Sequence, residues 1–78
     1  MFTGAHYTMS HERIDAVIAA VQADYPSATE DDVISVLDGD WPEGREHQEW
    51  LNNATIAEIA AWVGGIYVNL IEPARPYN

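Results

Sequence analysis

Carboxylates are the chemistry-bearing side chains of this sequence, and most of them lie in one third of it. Of the 13 Asp and Glu residues, nine fall between Asp24 and Glu49, where Arg45 is the only basic residue. That segment has a formal charge of −8 (nine acids against one arginine), out of −10 for the 78-residue chain. Clustered carboxylates can bind metal ions, transfer protons or pair with arginine, and their spacing separates these uses.

The spacing of the acids and histidines is not typical of a metal site, and the sequence has no pattern for catalysis. Acids occupy positions 1, 3 and 12 of a calcium loop that would run from Asp38 to Glu49, but position 5 is Pro42 and the glycine required at position 6 is Glu43. The three histidines have no zinc-binding spacing. The chain has no cysteine, no lysine and no Gly-x-Ser-x-Gly sequence for nucleophilic catalysis. We therefore expect no metal, no cofactor and no enzymatic activity.

Ion pairing is the chemistry that the acidic segment supports best. Carboxylates accept from arginine in the bidentate geometry that phosphates use, so a ridge of carboxylates can imitate the phosphates of a nucleic acid. The net charge excludes nucleic acid and anionic membranes as direct ligands, because their phosphates are repelled. We expect the partner to be the basic surface of a nucleic-acid-binding protein. The expected partner-binding residues are Glu30, Asp31, Asp32, Asp38, Asp40, Trp41, Glu43, Glu46 and Glu49.

Two alternatives remain open at this stage. The acids could form a solvated face with no partner, since small domains commonly have one. Trp41, which lies among the acids in a predicted turn, could anchor a partner if exposed or fold back onto the core. His47 is expected at the surface or its boundary, beside a carboxylate.

Helical signals divide the chain into four elements. Ser10 is a candidate N-cap for a first helix that ends at Tyr25-Pro26, because a residue before proline disfavours helical geometry. A second helix is predicted from Ser27 or Thr29, with Gly39 just past its end in the left-handed conformation. A third is predicted roughly from residue 43 or 45 to 52, and a fourth begins at the capping box 55–58.

The pair Gly64-Gly65 leaves the end of the fourth helix ambiguous. Apolar residues at 59, 63, 66 and 70 keep the helical period through the glycines, which favours a helix to about Ile71. The alternative is a strand over 66–71 that pairs with Phe2–Thr8. The expected fold is one all-α domain over 1–78, a compact bundle of about four helices. Its expected core is Ile14, Val17, Ile18, Val21, Val33, Ile34, Leu37, Trp50, Leu51, Ile59, Trp62, Val63 and Ile66.

Three stretches carry a resemblance to known proteins: Trp-Pro-Glu-Gly at 41–44, His-Gln-Glu-Trp-Leu at 47–51 and Ile-Ala-Ala-Trp-Val at 59–63. With its size and acidity, the chain resembles small acidic proteins of bacteriophages and mobile elements, among them anti-CRISPR and anti-restriction proteins that mimic DNA. The resemblance implies a non-enzymatic inhibitor that binds the basic DNA channel of a CRISPR surveillance complex and blocks target DNA.

Other functions are compatible with the same residues. A phage or antitoxin-like interaction module would dock through an apolar face that includes Trp41, Trp62, Ile66 and Tyr67. Salt adaptation would also favour acids over lysine, although it predicts an even distribution. The first ten residues lack a basic run followed by a long apolar stretch, and the longest apolar run is shorter than the roughly 20 residues that span a bilayer. The sequence therefore predicts a cytoplasmic protein, and the oligomeric state stays unknown.

Overall fold

The computed structural model describes residues 2–4, 7–39 and 47–74, which form a small helical bundle with an N-terminal hairpin. The predicted all-α bundle of four helices is confirmed. In chain order the elements are β1 (Phe2–Thr3), β2 (Thr8–Met9), α1 (His11–Asp24), α2 (Glu30–Gly39), α3 (His47–Asn53) and α4 (Ile56–Ile66), then a π-helical segment (Tyr67–Ile71) and a 3-10 turn (Glu72–Ala74). The strands pair antiparallel, with Phe2 opposite Met9 and Thr3 opposite Thr8.

Helix α1 begins and ends at the residues that its sequence predicts. The Ser10 hydroxyl accepts from the Arg13 amide at 3.2 Å, which satisfies one of the free donors of the first turn. Tyr25, before Pro26, has left helical geometry with φ −131° and ψ 81°. Between these ends Ile14, Val17 and Val21 are buried on one face.

Helix α2 has a reciprocal cap at its start. The Thr29 amide donates to Asp32 Oδ2 at 2.8 Å, and the Asp32 amide donates to Thr29 Oγ1 at 3.1 Å. The prediction for Gly39 is wrong, because Gly39 is the last residue of the helix and its backbone is not left-handed.

Helix α3 ends at Asn53, one residue beyond its predicted end, and its predicted start at 43 or 45 falls outside the described residues. Helix α4 begins at the predicted capping box. The Thr55 hydroxyl accepts from the Glu58 amide at 3.1 Å, and the Glu58 carboxylate accepts from the Thr55 amide at 3.0 Å. Both bonds fix the direction in which α4 leaves α3.

The chain stays helical through Gly64-Gly65, so the favoured helical extension is confirmed and the strand over 66–71 is wrong. At Gly64 the helix lies against the ring of Tyr25, where an added Cβ would sit 2.7 Å from Cε2. Tyr67 begins the π-helical segment and is 1% exposed. Its hydroxyl shares a 2.7 Å hydrogen bond with Ser27 Oγ, which joins the end of α4 to the α1–α2 turn.

The core lies mainly between α1 and α4, with α2 and the hairpin covering it. Eight of the thirteen predicted core residues are buried: Ile14, Val17, Val21, Val33, Leu37, Leu51, Ile59 and Val63. The other five (Ile18, Ile34, Trp50, Trp62 and Ile66) are only half-buried, which corrects that part of the prediction. The core also contains six residues outside the predicted list, namely Tyr7, Met9, Ala28, Val36, Ala54 and Tyr67.

Candidate functional site

The acids of the candidate binding surface differ in how far they are exposed. Glu30 and Asp31 project from the first turn of α2, and Glu49 projects from the first turn of α3; all three are exposed. Asp32 is half-buried because its carboxylate caps α2 through Thr29. Two turns separate Asp31 from Asp38, so these acids share one face of α2 about 10.5 Å apart along its axis.

Four members of the predicted ridge, Asp40, Trp41, Glu43 and Glu46, lie outside the described residues. The described acids of the predicted ridge therefore form two groups. One group lies at the start of α2, and the other consists of Asp38 and Glu49, one on each side of residues 40–46. A continuous ridge from α2 to α3 stays a prediction. Whether Trp41 anchors a partner stays one as well.

Arg13 is the one described arginine that could pair with the described acids, and its guanidinium is bonded elsewhere. It is the only arginine in residues 2–4, 7–39 and 47–74, which contain no lysine. Its guanidinium donates to the carbonyl of Leu51 at 2.7 Å and to the carbonyl of Ala54 at 3.1 Å. A cation there satisfies carbonyls at the end of α3 and opposes the negative end of the helix dipole. One terminal nitrogen of this guanidinium therefore makes both bonds to the backbone at the end of α3.

Tyr7 and His47 form a buried polar cluster where the hairpin meets α2 and α3. His47 is 3% exposed, so its expected surface position is wrong. Its ring lies 5.3 Å from that of Tyr7, which is equally buried. Burial first, and then the nearby Asp38 carboxylate, raise the pKa of Tyr7. In the described part of the chain no group meets ordinary hydrogen-bond geometry with the Tyr7 oxygen, so we attribute the influence of Asp38 mainly to its charge.

Gln48 connects α3 to the hairpin by two strong hydrogen bonds. The Thr8 amide donates to Gln48 Oε1 at 2.7 Å, and Gln48 Nε2 donates to the Thr8 carbonyl at 2.9 Å. The same Nε2 donates to Asn52 Oδ1 at 2.9 Å, one turn further along α3. Sequence reasoning missed both Tyr7 and Gln48, because each acts on residues about 40 positions away and no local pattern marks such a contact.

The apolar face proposed as an alternative is incomplete in the structure. Tyr67 is buried and hydrogen-bonded to Ser27, so it cannot contribute to docking. Trp62 is half-buried in an edge-to-face pair with Trp50, with ring centroids 6.1 Å apart. Leu70, 61% exposed, is the one large hydrophobic side chain that projects into solvent within the described ranges.

Three further observations concern metal sites, membrane-spanning helices and similarity to known proteins. Among the described residues, no group of three or more His, Asp or Glu side chains is arranged to hold a metal ion. None of the described helices combines the length and the apolar character needed to cross a membrane. No protein-family model, curated protein or solved structure matches the chain, so its function has to be argued from its own residues.

Proposed function

We propose that the protein is a non-enzymatic inhibitor that binds the basic DNA-binding surface of a nucleic-acid-binding protein and excludes DNA from it. The observation that supports this most is that the part of the chain that the structure describes supplies no basic partner for the exposed acids. Glu30, Asp31 and Glu49 are exposed, and no basic side chain of the described residues lies within ion-pair distance of them. Arg13, the one arginine of the described ranges, donates instead to carbonyls at the end of α3.

Such a surface suits a partner that ordinarily binds phosphate. A DNA channel lined by arginine and lysine attracts anions without regard to their identity, and the attraction speeds encounter when the ligand carries clustered charge. Arginine pairs with a carboxylate as it does with a phosphate. By this reasoning the protein competes with DNA for the same basic side chains.

The partner class follows from the resemblance to small acidic phage proteins. We propose a CRISPR effector, specifically a multisubunit surveillance complex, bound in the cytoplasm of a host bacterial cell. The inhibitor would occupy the channel that receives target DNA. An anti-CRISPR protein of this kind needs neither a cofactor nor a catalytic residue.

Charge reversal of the exposed acids tests the proposal. A panel of purified, guide-loaded surveillance complexes is titrated with the protein, and the binding of labelled target DNA is measured at several salt concentrations. The test variant replaces Glu30, Asp31 and Glu49 by lysine. The control variant makes the same change at Glu12, Asp15 and Glu72, three exposed acids outside the proposed surface.

The expected result is that the wild-type protein and the control displace DNA from at least one complex, and that the test variant does not. Displacement should weaken as salt rises, because exposed charges are screened. If no complex releases DNA, or if both triple variants lose activity equally, the proposed surface is wrong.

A second candidate is an interaction module that docks through apolar contacts, which the exposure of Leu70 favours. The same titration distinguishes it. Its affinity would be nearly independent of salt, would survive charge reversal and would fall when Leu70 is replaced by asparagine.

A further inference from the structure

The N-terminal hairpin contacts both helix ends that flank residues 40–46. On one side the Tyr7 ring and the Asp38 carboxylate converge on Gly4. A Cβ added to Gly4 would collide with Tyr7 Cε1 and sit 2.7 Å from Asp38 Oδ1. The Gly4 amide donates to the Tyr7 carbonyl at 2.8 Å, which holds the backbone of Tyr7 beside Gly4.

On the other side the hairpin contacts the start of α3. The Tyr7 ring lies against His47, and the backbone of Thr8 exchanges two hydrogen bonds with Gln48. Tyr7 thus lies near the last turn of α2 and against the first turn of α3, and Thr8 adds hydrogen bonds to the first turn of α3. Few other contacts link α2 directly to α3 among the described residues.

We propose that Tyr7 and Gln48 are positioning residues that hold Asp38 and Glu49 in one fixed relative arrangement for the partner. The role in binding rests on the proposed function, whereas the fixed arrangement itself does not. A rigid basic channel presents its arginines at set positions, so acids that are already in place lose less freedom on binding. Neither positioning residue carries a charge, and neither needs to touch the partner.

Substitution of Gln48 by glutamate separates positioning from charge. Glutamate has the same shape and adds an acid beside Glu49, but its carboxylate cannot donate to the Thr8 carbonyl 2.9 Å away. If charge alone decides affinity, Gln48→Glu binds more tightly than the wild type. If positioning decides it, the variant binds more weakly. Gln48→Met removes the hydrogen bonds with no change of charge, and Ser35→Glu adds an acid to an exposed site of α2 with the hairpin contact intact.

Two binding partners serve as probes that distinguish an effect of positioning from an effect of charge. One is the surveillance complex that binds the wild-type protein, and the other is a flexible arginine-rich peptide, which can adapt to any arrangement of acids. For the complex we expect Gln48→Glu and Gln48→Met to weaken binding about tenfold, and Ser35→Glu to strengthen it; a tenfold change is about 1.4 kcal/mol. For the peptide we expect Gln48→Glu to bind at least as tightly as the wild type. Equal or tighter binding of Gln48→Glu to the complex would overturn the role in recognition.

A measurement without any partner tests the fixed arrangement itself. The chain has no cysteine, so spin labels attached at Ser35→Cys on α2 and Asn53→Cys on α3 report one distance with no background. Both positions are exposed. We expect a narrow distance distribution when Gln48 is present and a broad one with Gln48→Glu or Gln48→Met, at unchanged helix content by circular dichroism. Distributions of equal width would overturn the fixed arrangement, even if the protein proves to be an inhibitor. If the distribution broadens but no surveillance complex binds the protein, the fixed arrangement stands and the proposed function fails.

Discussion

The two adjacent glycines of α4 provide a matched pair of substitutions with opposite expected effects. An added Cβ at Gly65 meets no atom within 4 Å. At Gly64 the same atom would lie 2.7 Å from Cε2 and 3.3 Å from Cδ2 of Tyr25. The local sequence is nearly the same for both, so any difference between the two alanine variants reports the contact with Tyr25.

The magnitudes follow from helix propensity and packing. Alanine is about 1 kcal/mol more favourable than glycine inside a helix, so Gly65→Ala should stabilise the fold by about that amount. Gly64→Ala gains the same propensity but forces the ring of Tyr25 outward by about 1 Å to reach normal carbon contact distances. Tyr25 lies 5.8 Å from the buried ring of Tyr67, so the shift disturbs a packed pair. Overpacking of this kind costs about 1–3 kcal/mol, which places Gly64→Ala below Gly65→Ala by that margin.

Urea and thermal unfolding of the two variants measure the difference. For a domain of this size 1 kcal/mol corresponds to a shift of about 4–8 °C in Tm. A double-mutant cycle with Tyr25→Ala locates the cause, because without the ring Gly64→Ala should become as stabilising as Gly65→Ala. Equal stabilities of the two single variants, or a cycle with no coupling, would show that α4 does not approach Tyr25 as described.

Two further predictions concern polar groups of the core. Because burial and Asp38 raise the pKa of Tyr7 above 10.0, the unfolded chain loses this proton first as the pH rises. The free energy of unfolding should therefore fall above about pH 10 by up to about 1.4 kcal/mol per pH unit. Urea unfolding at several pH values should show that Tyr7→Phe lacks this fall. If the wild type and Tyr7→Phe lose stability with pH equally above about pH 10, the prediction is wrong. Arg13→Met keeps the alkyl stem but loses the bonds to the Leu51 and Ala54 carbonyls, so unfolding free energy should drop by about 1–3 kcal/mol. A drop under about 0.5 kcal/mol would mean that water replaces the guanidinium at the end of α3.

Local signals in the sequence were sufficient to predict the helices. Ser10, the Thr55–Glu58 capping box and the Tyr25-Pro26 break each act within a few residues, and each is present in the structure. The helix also passes through Gly64-Gly65 as its apolar period predicts. The close approach of Gly64 to a ring 39 residues earlier, which leaves no room for a Cβ there, is visible only in three dimensions.

Contacts between residues far apart in the chain could not be predicted from the sequence. His47 has charged neighbours along the chain, which suggested a surface position, yet Tyr7 covers it from 40 residues away. The sequence places Asp32 in the first turn of α2 and in the predicted binding surface, but the hydrogen bond from the Thr29 amide to its carboxylate is visible only in the structure. The acids Glu30, Asp31 and Glu49 are exposed as a binding surface requires, because clustered charge resists burial whatever the fold.

The hydrogen bonds between Gln48 and Thr8 also affect how the protein can associate with other copies of itself. At Thr8 the backbone groups of β2 that face away from β1 are bonded to the Gln48 amide, which takes the place that a third strand would occupy. An unpaired strand edge is a template on which another chain can add and begin aggregation. The side chain of one glutamine therefore closes that edge at Thr8 and removes it as a starting point for aggregation.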